Sequence, residues 1–184
     1  MLQVEQIRKM RAEADVIFTA AEVSAAVDQV AAAINAQAAI AEQHPLVLCV
    51  MTGGVVFTGQ LMTRLDFALD FDYLHVTRYG QDITGGALSW RAAPWKSVKE
   101  RTVLVVDDIL DEGVTLAVIK ERLLQMGATA VYTAVLADKE NGKKKPIEAD
   151  FVALSVPDRF VFGYGMDAHG AWRNLPAIYA MKES

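Results

Sequence analysis

The stretch VLVVDDILDEGVT, residues 103–115, joins a strand pattern to the start of a helix pattern and places four carboxylates between them. Its first four residues are β-branched or aliphatic, which is typical of a strand buried on both faces. The carboxylates of Asp107, Asp108, Asp111 and Glu112 follow within six residues, and they repel one another unless a cation or hydroxyl groups neutralise them. The stretch therefore predicts a buried strand that leads into a binding site.

The second half of this stretch, residues 111–115, has the character of a phosphate cradle. A glycine turn, the free N–H groups of a helix N-terminus and a threonine hydroxyl all favour an anion. The acids before it suit ribose hydroxyls and a divalent cation, so the whole stretch predicts a site for a sugar phosphate bound with Mg²⁺. The alternative is a solvated acidic turn in which Asp111 caps the helix. Two acids directly after a buried strand, followed by the DxGxT spacing, argue against that alternative.

The pattern of a buried strand followed by a helix recurs on both sides of this stretch. Thr19 and Glu22 form a capping box that opens an alanine-rich helix pattern extending to about Glu42. Alternating strand and helix patterns predict an α/β fold, a mainly parallel twisted sheet flanked by helices, with ligands beyond the carboxyl ends of the strands. The predicted strands are 46–51, 67–78, 101–106, 130–136, 150–156 and 178–180, and the predicted helices are 19–42, 55–65 and 116–126.

The sequence shows no sign of a boundary between domains. No linker composition and no internal repeat divides the chain, so we expect a single domain, 1–184. Residues 79–99 are polar and glycine-containing without clear periodicity, which is a feature of functional or disordered segments. For Trp90 and Trp95 in that segment we expect no role other than packing.

The composition limits the class of partner. The 184 residues carry 18 Lys and Arg against 23 Asp and Glu, a formal net charge of −5, which argues against nucleic-acid binding. Cys49 is the single cysteine and the three histidines are scattered, which argues against an internal disulfide and a His/Cys zinc site. The sequence has no signal peptide and no apolar run near the ~20 residues that span a bilayer. We therefore expect a cytoplasmic protein without a membrane partner.

The 103–115 stretch resembles the 5-phosphoribosyl-1-pyrophosphate (PRPP) binding signature of type I phosphoribosyltransferases. Other segments resemble those of the hypoxanthine-guanine phosphoribosyltransferases, in the same order along the chain. They are a pyrophosphate loop at 51–54, the start of a mobile loop at 78–80, a purine-contacting segment at 136–139, and a hood at 157–167 with 172–173. The resemblance implies that family's fold, with a core of about 20–156 and a hood over the base site from about 157–184 and part of the N-terminus.

The resemblance also implies an activity. N9 of a 6-oxopurine, hypoxanthine or guanine, attacks C1′ of PRPP, pyrophosphate leaves, and IMP or GMP forms in a purine salvage reaction that depends on Mg²⁺. The partners would be these small molecules and further copies of the chain in a homodimer or homotetramer. Because the transition state has oxocarbenium character, electrostatic stabilisation and positioning should supply most of the rate.

Each candidate site residue takes its role from the same resemblance. The catalytic candidates are Asp111, as general base toward N7 of the purine, and Arg173, as a clamp on the leaving pyrophosphate. Lys139 would donate to O6 and so favour a 6-oxopurine over adenine. The PRPP and phosphate candidates are Thr52, Gly53, Tyr79, Asp107, Asp108, Asp111, Glu112, Gly113, Val114 and Thr115. The purine candidates are Lys139, Phe160, Val161 and Asp167, and the Mg²⁺ candidates are Asp107, Asp108 and Asp167.

Three residues depart from the family's pattern. Thr52 stands where many members have Lys or Arg, and Glu112 and Val114 stand where Thr and Lys are common. These departures leave the affinity for PRPP and the choice among hypoxanthine, guanine and xanthine open. The run of three lysines at 143–145 is predicted to be a solvated face.

Two other classes of function compete with this interpretation. One is a non-catalytic homologue that senses PRPP or a nucleotide. The other is a response-regulator receiver domain, in which Asp107 and Asp108 would bind Mg²⁺ and Asp158 would accept a phosphoryl group. Too few residues follow Asp107 for the strand–helix units that a receiver needs, and Pro157 fits poorly at a buried strand end.

Overall fold

Two sheets and five helices make up the part of the chain that the computed structural model describes, residues 3–78 and 88–182. The strands are β1 Asp15–Phe18, β2 Leu46–Met51, β3 Asp70–Arg78, β4 Leu88–Ala92, β5 Thr102–Leu110, β6 Ala130–Glu140, β7 Phe151–Pro157, β8 Val161–Phe162 and β9 Ile178–Ala180. The helices are α1 Val4–Glu13, α2 Ala20–Asn35, α3 Ala38–Ala41, α4 Val55–Met62 and α5 Val114–Gln125.

The larger sheet has six strands in the order β4-β3-β2-β5-β6-β7, and every neighbouring pair is parallel except β3 with β4. From β2 the chain continues to β3 on one side, and from β5 it continues to β6 on the other. The strand order therefore reverses between β2 and β5, and at such a reversal the carboxyl ends of the strands border a ligand-binding crevice. The predicted α/β fold with a mainly parallel sheet is confirmed.

Strand β5 is anchored because helices cover both faces of the sheet. Leu104 and Val106 pack in the core that α2 and α4 cover, whereas Val103 and Val105 pack in the core that α5 covers. All four side chains are fully buried, as the apolar run predicts, because successive side chains of a strand point to opposite faces. The acidic residues that follow therefore extend from the middle of a rigid sheet.

Several elements differ in length from their predicted bounds. The capping box is present, with the Glu22 N–H donating to Thr19 Oγ1 (3.3 Å) and the Thr19 N–H to Glu22 Oε2 (2.8 Å). The helix it opens ends at Asn35, and an extended Gln37 separates it from α3. Two strands end later than predicted: β5 extends to Leu110 instead of residue 106, and β6 extends to Glu140 instead of residue 136. The prediction followed the apolar side chains, whereas ladder hydrogen bonds use the backbone and continue past them.

The smaller sheet joins the two ends of the chain, with β9 antiparallel to both β1 and β8. The Arg159 guanidinium donates to the Asp15 carboxylate (2.6 Å) and to the Met181 carbonyl (2.7 Å). The Trp172 indole donates to the Ile7 carbonyl (2.8 Å). Residues that follow β7 are therefore held in place by the N-terminal residues, which are far from them in sequence.

The two tryptophans of the polar segment differ in environment. Trp90 packs against the core on the α5 side, as expected. Trp95 is 91% exposed, so the expectation that it packs is wrong. None of the helices in the described ranges combines the length and the apolarity that crossing a membrane requires.

Gly165, in the segment after β8, lies very close to the loop that follows β2. Its φ is +108°, and a Cβ at this position would lie 2.0 Å from the Gly53 carbonyl oxygen. Only glycine adopts this backbone freely and leaves room for the contact. The absence of a side chain at Gly165 thus lets this segment rest directly on the loop after β2.

We predict that Gly165→Ala destabilises the protein more than Gly170→Ala does. Gly170 has a comparable φ of +85°, but an added Cβ there meets nothing within 4 Å, so this control isolates the cost of backbone strain, about 1–3 kcal/mol. Steric overlap should cost a further ~1–3 kcal/mol at Gly165, which lowers the melting temperature by an additional ~2–4 °C per kcal/mol. Thermal unfolding followed by circular dichroism measures both shifts, and equal shifts would contradict the close approach.

Candidate active site

The acid pair, Asp107 and Asp108, lies within β5 rather than after it. Asp107 is 9% exposed, its Oδ1 accepts from the Asp108 N–H (2.9 Å), and Asp108 Oδ1 accepts from the Ile109 N–H (2.9 Å). Burial raises the pKa of Asp107 well above its ordinary value, and the neighbouring charge of Asp108 raises it further. Burial also raises the pKa of Asp108. The pair therefore gains from any group that compensates negative charge, such as a cation or sugar hydroxyls.

The loop after β2 lies against this pair. A Cβ on Gly53 would be 1.7 Å from Asp108 Oδ2, so a side chain at this position would displace the carboxylate. The Met51–Thr52 peptide bond is cis, and Thr52 is exposed. The structure thus brings the predicted pyrophosphate loop and the acid pair together, at the reversal of strand order.

The predicted phosphate cradle forms the turn between β5 and α5. Gly113, with φ +78°, is the N-cap of α5, so the alternative in which Asp111 caps this helix is wrong. A cavity of about 200 Å³ lies over the turn. Val114 is 42% exposed and is not among the residues lining that cavity, which are Asp107, Asp108, Ile109, Leu110, Asp111, Glu112, Gly113, Thr115 and Leu116.

Asp111 and Lys139 form an ion pair that the strand register sets up. Leu110 of β5 pairs with Asp138 of β6, so the next residue of each strand lies beside the other, and Lys139 Nζ donates to Asp111 Oδ2 at 3.0 Å. The Asn141 amide donates to the other oxygen of the same carboxylate (3.2 Å). Partial burial acts to raise the pKa of Asp111, but these hydrogen bonds and the charges of Lys139 and Lys145 outweigh it and lower the pKa below its ordinary value.

A second cavity, of about 220 Å³, adjoins the first and contains this ion pair. Phe160 at its edge is 49% exposed and stacks on His169, with ring centroids 5.8 Å apart and planes 9° from parallel. An exposed aromatic face beside a donor and an acceptor suits a planar heterocycle. The lining residues are Asp108, Ile109, Asp111, Lys139, Phe160, Val161, Met166 and Asp167.

Asp167 and Arg173, two further candidates, contact each other. Arg173 Nη2 lies 2.6 Å from Asp167 Oδ1, and Arg173 Nη1 donates to the Gly165 carbonyl (2.7 Å). The Gly170 N–H donates to Asp167 Oδ2 (2.7 Å). Both oxygens of Asp167 therefore have protein partners, and a cation bound there would have to share or replace them.

Magnesium prefers hard oxygen ligands and commonly takes one or two carboxylates together with substrate phosphates and waters. Asp107 and Asp108 fit that donor set, because two adjacent buried carboxylates are costly without a positive partner. In ranges 3–78 and 88–182 no group of three or more His, Cys, Asp or Glu side chains is arranged to hold a metal ion.

Some contributors to the site were not predicted, and one prediction cannot be placed. Tyr79 lies outside the described residues. Ile109 and Met166 line the second cavity, and their apolar character gave no distinguishing signal. The prediction that 143–145 is a solvated face is wrong for Lys145, whose side chain is only 13% exposed. The sequence could not show this, since a run of lysines is the same whether its ammonium groups are solvated or bound to the protein.

Comparisons with known proteins agree with this geometry. A family model described as a phosphoribosyl transferase domain matches residues 13–169. Hypoxanthine-guanine phosphoribosyltransferase of Bacillus subtilis is 35% identical over 77% of this chain and 79% of its own length. Hypoxanthine-guanine-xanthine phosphoribosyltransferase of Tritrichomonas foetus is 35% identical over 78% of this chain and 79% of its own length.

Solved structures give the same result. A hypoxanthine phosphoribosyltransferase from Staphylococcus aureus superposes with a TM-score of 0.87 and 28% identity, covering 95% of each chain. The receiver-domain alternative is therefore wrong. With a family model across most of the chain, two relatives above 30% identity and a matching fold, the chain belongs to the phosphoribosyltransferase family, in the hypoxanthine-guanine phosphoribosyltransferase group.

Proposed function

We propose that the protein transfers the 5-phosphoribosyl group of PRPP to N9 of a 6-oxopurine, hypoxanthine or guanine, and releases pyrophosphate with IMP or GMP in purine salvage. The observation that carries this proposal is the Asp111–Lys139 ion pair, which lies in a cavity adjoining both the acid pair and the phosphate turn. The names of the similar relatives support the same substrates.

At the sugar and phosphates, backbone N–H groups and polar side chains would share the contacts. The N–H groups at the start of α5, together with the Thr115 hydroxyl, would hold the 5′-phosphate, since a helix N-terminus favours an anion. The carboxylates of Asp107 and Asp108 would bind the ribose hydroxyls. Mg²⁺, held by Asp107, Asp108 or Asp167 with substrate oxygens, would neutralise pyrophosphate charge. Arg173 and the Gly53 loop would face the leaving pyrophosphate, where a guanidinium binds phosphate oxygens in pairs.

At the base, the ion pair of the free protein would open to admit the purine between its two ends. Lys139 would then donate to O6, and the Asp111 carboxylate would accept the proton at N7. Each charged group keeps a hydrogen-bond partner in this exchange, because the purine offers an acceptor to the ammonium and a donor to the carboxylate. A 6-amino group would face Lys139 with a donor instead, so the ammonium disfavours adenine.

The rest of the cavity would hold the ring in plane. Phe160 would stack on one face of the base, and the backbone of Val161 would read its edge. Negative charge at Asp107 and Asp108 would stabilise positive charge developing at C1′ in the transition state.

The wider organisation stays a prediction. We propose one phosphoribosyltransferase domain over 1–184, in which the smaller sheet and the segment 163–175 act as the hood. The contact of Gly165 with Gly53 supports that role, since it places this segment beside the site. Cytoplasmic localisation and assembly into a homodimer or homotetramer are proposed on the same family grounds.

The test is a pyrophosphate-release assay with PRPP, Mg²⁺ and, separately, hypoxanthine, guanine, xanthine and adenine. We expect turnover with hypoxanthine and guanine and none with adenine, while the xanthine arm reports how the 2-position is read. No turnover with any 6-oxopurine refutes the proposal. If PRPP or a nucleotide still binds in calorimetry under that outcome, the non-catalytic sensor becomes the better account.

We predict that Asp111→Asn lowers kcat by about 10²–10⁴, the range for loss of a general base. The amide keeps the size of the side chain but carries no charge to accept the N7 proton. Steady-state kinetics with hypoxanthine measures the effect, with Glu121→Gln at an exposed position of α5 as a matched acid-to-amide control. An unchanged kcat would exclude Asp111 as the base.

We predict that Asp107→Asn lowers activity yet raises the melting temperature of the ligand-free protein at pH 8. Burial makes the Asp107 charge costly, so a neutral amide of equal size should gain on the order of 1 kcal/mol, or about 2–4 °C for a domain of this size. Thermal unfolding and pyrophosphate release are measured on the same samples. A fall in both would show that the carboxylate stabilises the fold.

A further inference from the structure

Alternate side chains of the segment between β6 and β7 contact the phosphate turn and the end of β5. The Asn141 amide donates to the Asp111 carbonyl (3.0 Å) as well as to its carboxylate, and Lys143 Nζ lies 3.3 Å from Glu112 Oε1. Lys145 Nζ reaches the carbonyl of Leu110, the residue before Asp111, at 2.8 Å. Leu110 at the end of β5 and the turn residues Asp111 and Glu112 thus each have a partner in residues 141–145, which we call the brace.

Lys145 joins the ends of two strands to one ammonium group. Besides the Leu110 carbonyl at the end of β5, it donates to the Lys139 carbonyl of β6 (2.7 Å) and to the Asp138 carboxylate. An ammonium has three N–H donors, and each of them has an acceptor here. The side chain is 13% exposed, so little water competes for these contacts.

The two carbonyls that Lys145 binds belong to β5 and β6, the neighbouring strands that lead to Asp111 and Lys139 in the second cavity, which we call the base cavity. Leu110 precedes Asp111, the candidate general base, and the side chain of Lys139 is the candidate donor to O6 of the purine. Their spacing decides whether both side chains reach one purine, because O6 and N7 lie on the same edge of the ring. A shift of about 1 Å at such a point costs roughly 10²-fold in rate.

The brace is itself fixed at both ends and packed against the turn. At its start it continues from β6. Beyond it, the Asp150 carboxylate accepts from the Thr133 N–H and hydroxyl (both 2.8 Å). A Cβ on Gly113 would lie 3.3 Å from side-chain atoms of Lys145, Pro146 and Ile147, so little room for a side chain is left between the turn and this segment. The brace can therefore hold the turn at a defined position.

We propose that the brace positions Asp111 and Lys139 for the purine, and that Lys145 is its principal positioning residue. This inference rests on the proposed function and assigns a role to a lysine that touches neither substrate. Lys145 sets the distance between the strand ends, and Asn141 orients the Asp111 carboxylate. The backbone that carries the two side chains then stays in place when the ion pair opens to admit the base.

The experiment compares Lys145→Met, Lys145→Arg and the control Lys144→Met in pyrophosphate-release kinetics with hypoxanthine and PRPP, each varied in turn. Methionine keeps the apolar stem and removes the charge and donors, and Lys144 is an exposed neighbour that undergoes the same chemical change. We expect Lys145→Met to raise the KM of hypoxanthine and to lower kcat/KM by about 10–100-fold, as loss of a supporting contact does at other sites. Lys145→Arg should retain more activity, and Lys144→Met should stay within about twofold of the wild type, the scale of surface substitutions.

Thermal unfolding of each variant separates positioning from stability. A purely structural role would lower the melting temperature and the active fraction, so that the apparent kcat falls while both KM values stay unchanged. That outcome, or equal kinetics for Lys145→Met and Lys144→Met, overturns the inference. If Lys145→Met does not fold, Asn141→Ala decides it: an increased KM of hypoxanthine supports the brace, and a wild-type KM overturns it. The wild-type rate in the same assay tests the proposed function separately, since no turnover there refutes that function first.

Discussion

The backbone ladder between β5 and β6 continues beyond the apolar core and pairs Leu110 with Asp138, and the geometry of the site depends on it. Because the strands are parallel and in this register, Asp111 emerges beside Lys139 and the two form an ion pair. A shift of one residue would turn every side chain to the opposite face of the sheet, and the base cavity would lose its donor or its acceptor. The contacts of residues 141–145 secure the same register from outside the sheet.

The acidic residues of β5 and those of the turn after it have different environments, and this difference separates the two halves of the site. Burial raises the pKa of Asp107 and Asp108, whereas hydrogen bonds and nearby lysines lower the pKa of Asp111 despite its partial burial. The acid pair is thus prepared for a cation or sugar hydroxyls, and Asp111 is held ionised. When their environments shift the pKa values of neighbouring carboxylates in opposite directions, residues of the same type can take different roles in one site.

Close approaches at two glycines bring the loop after β2 and the segment after β8 against the acid pair. Gly53 admits the Asp108 carboxylate, and Gly165 admits the Gly53 carbonyl, so the acid pair, the loop after β2 and the segment after β8 are stacked without intervening side chains. Arg173 and Asp167 then lie across the crevice from β5, linked to each other. A side chain at either glycine would separate these layers.

The sequence by itself determined the fold class, the acid pair, the phosphate turn and the purine candidates, because each is coded locally, by an apolar run, a glycine turn or a short motif. It also determined the family, since those motifs occur in one order along the chain. Tertiary structure alone decided that Asp111 and Lys139 form a pair and that Asp167 is bound by Arg173. It also decided that the Lys145 side chain is only 13% exposed and bound to two carbonyls and a carboxylate, while its neighbour Lys144 is exposed. These facts depend on strand register and on contacts between residues distant in sequence, and a local pattern of residues contains no information on either.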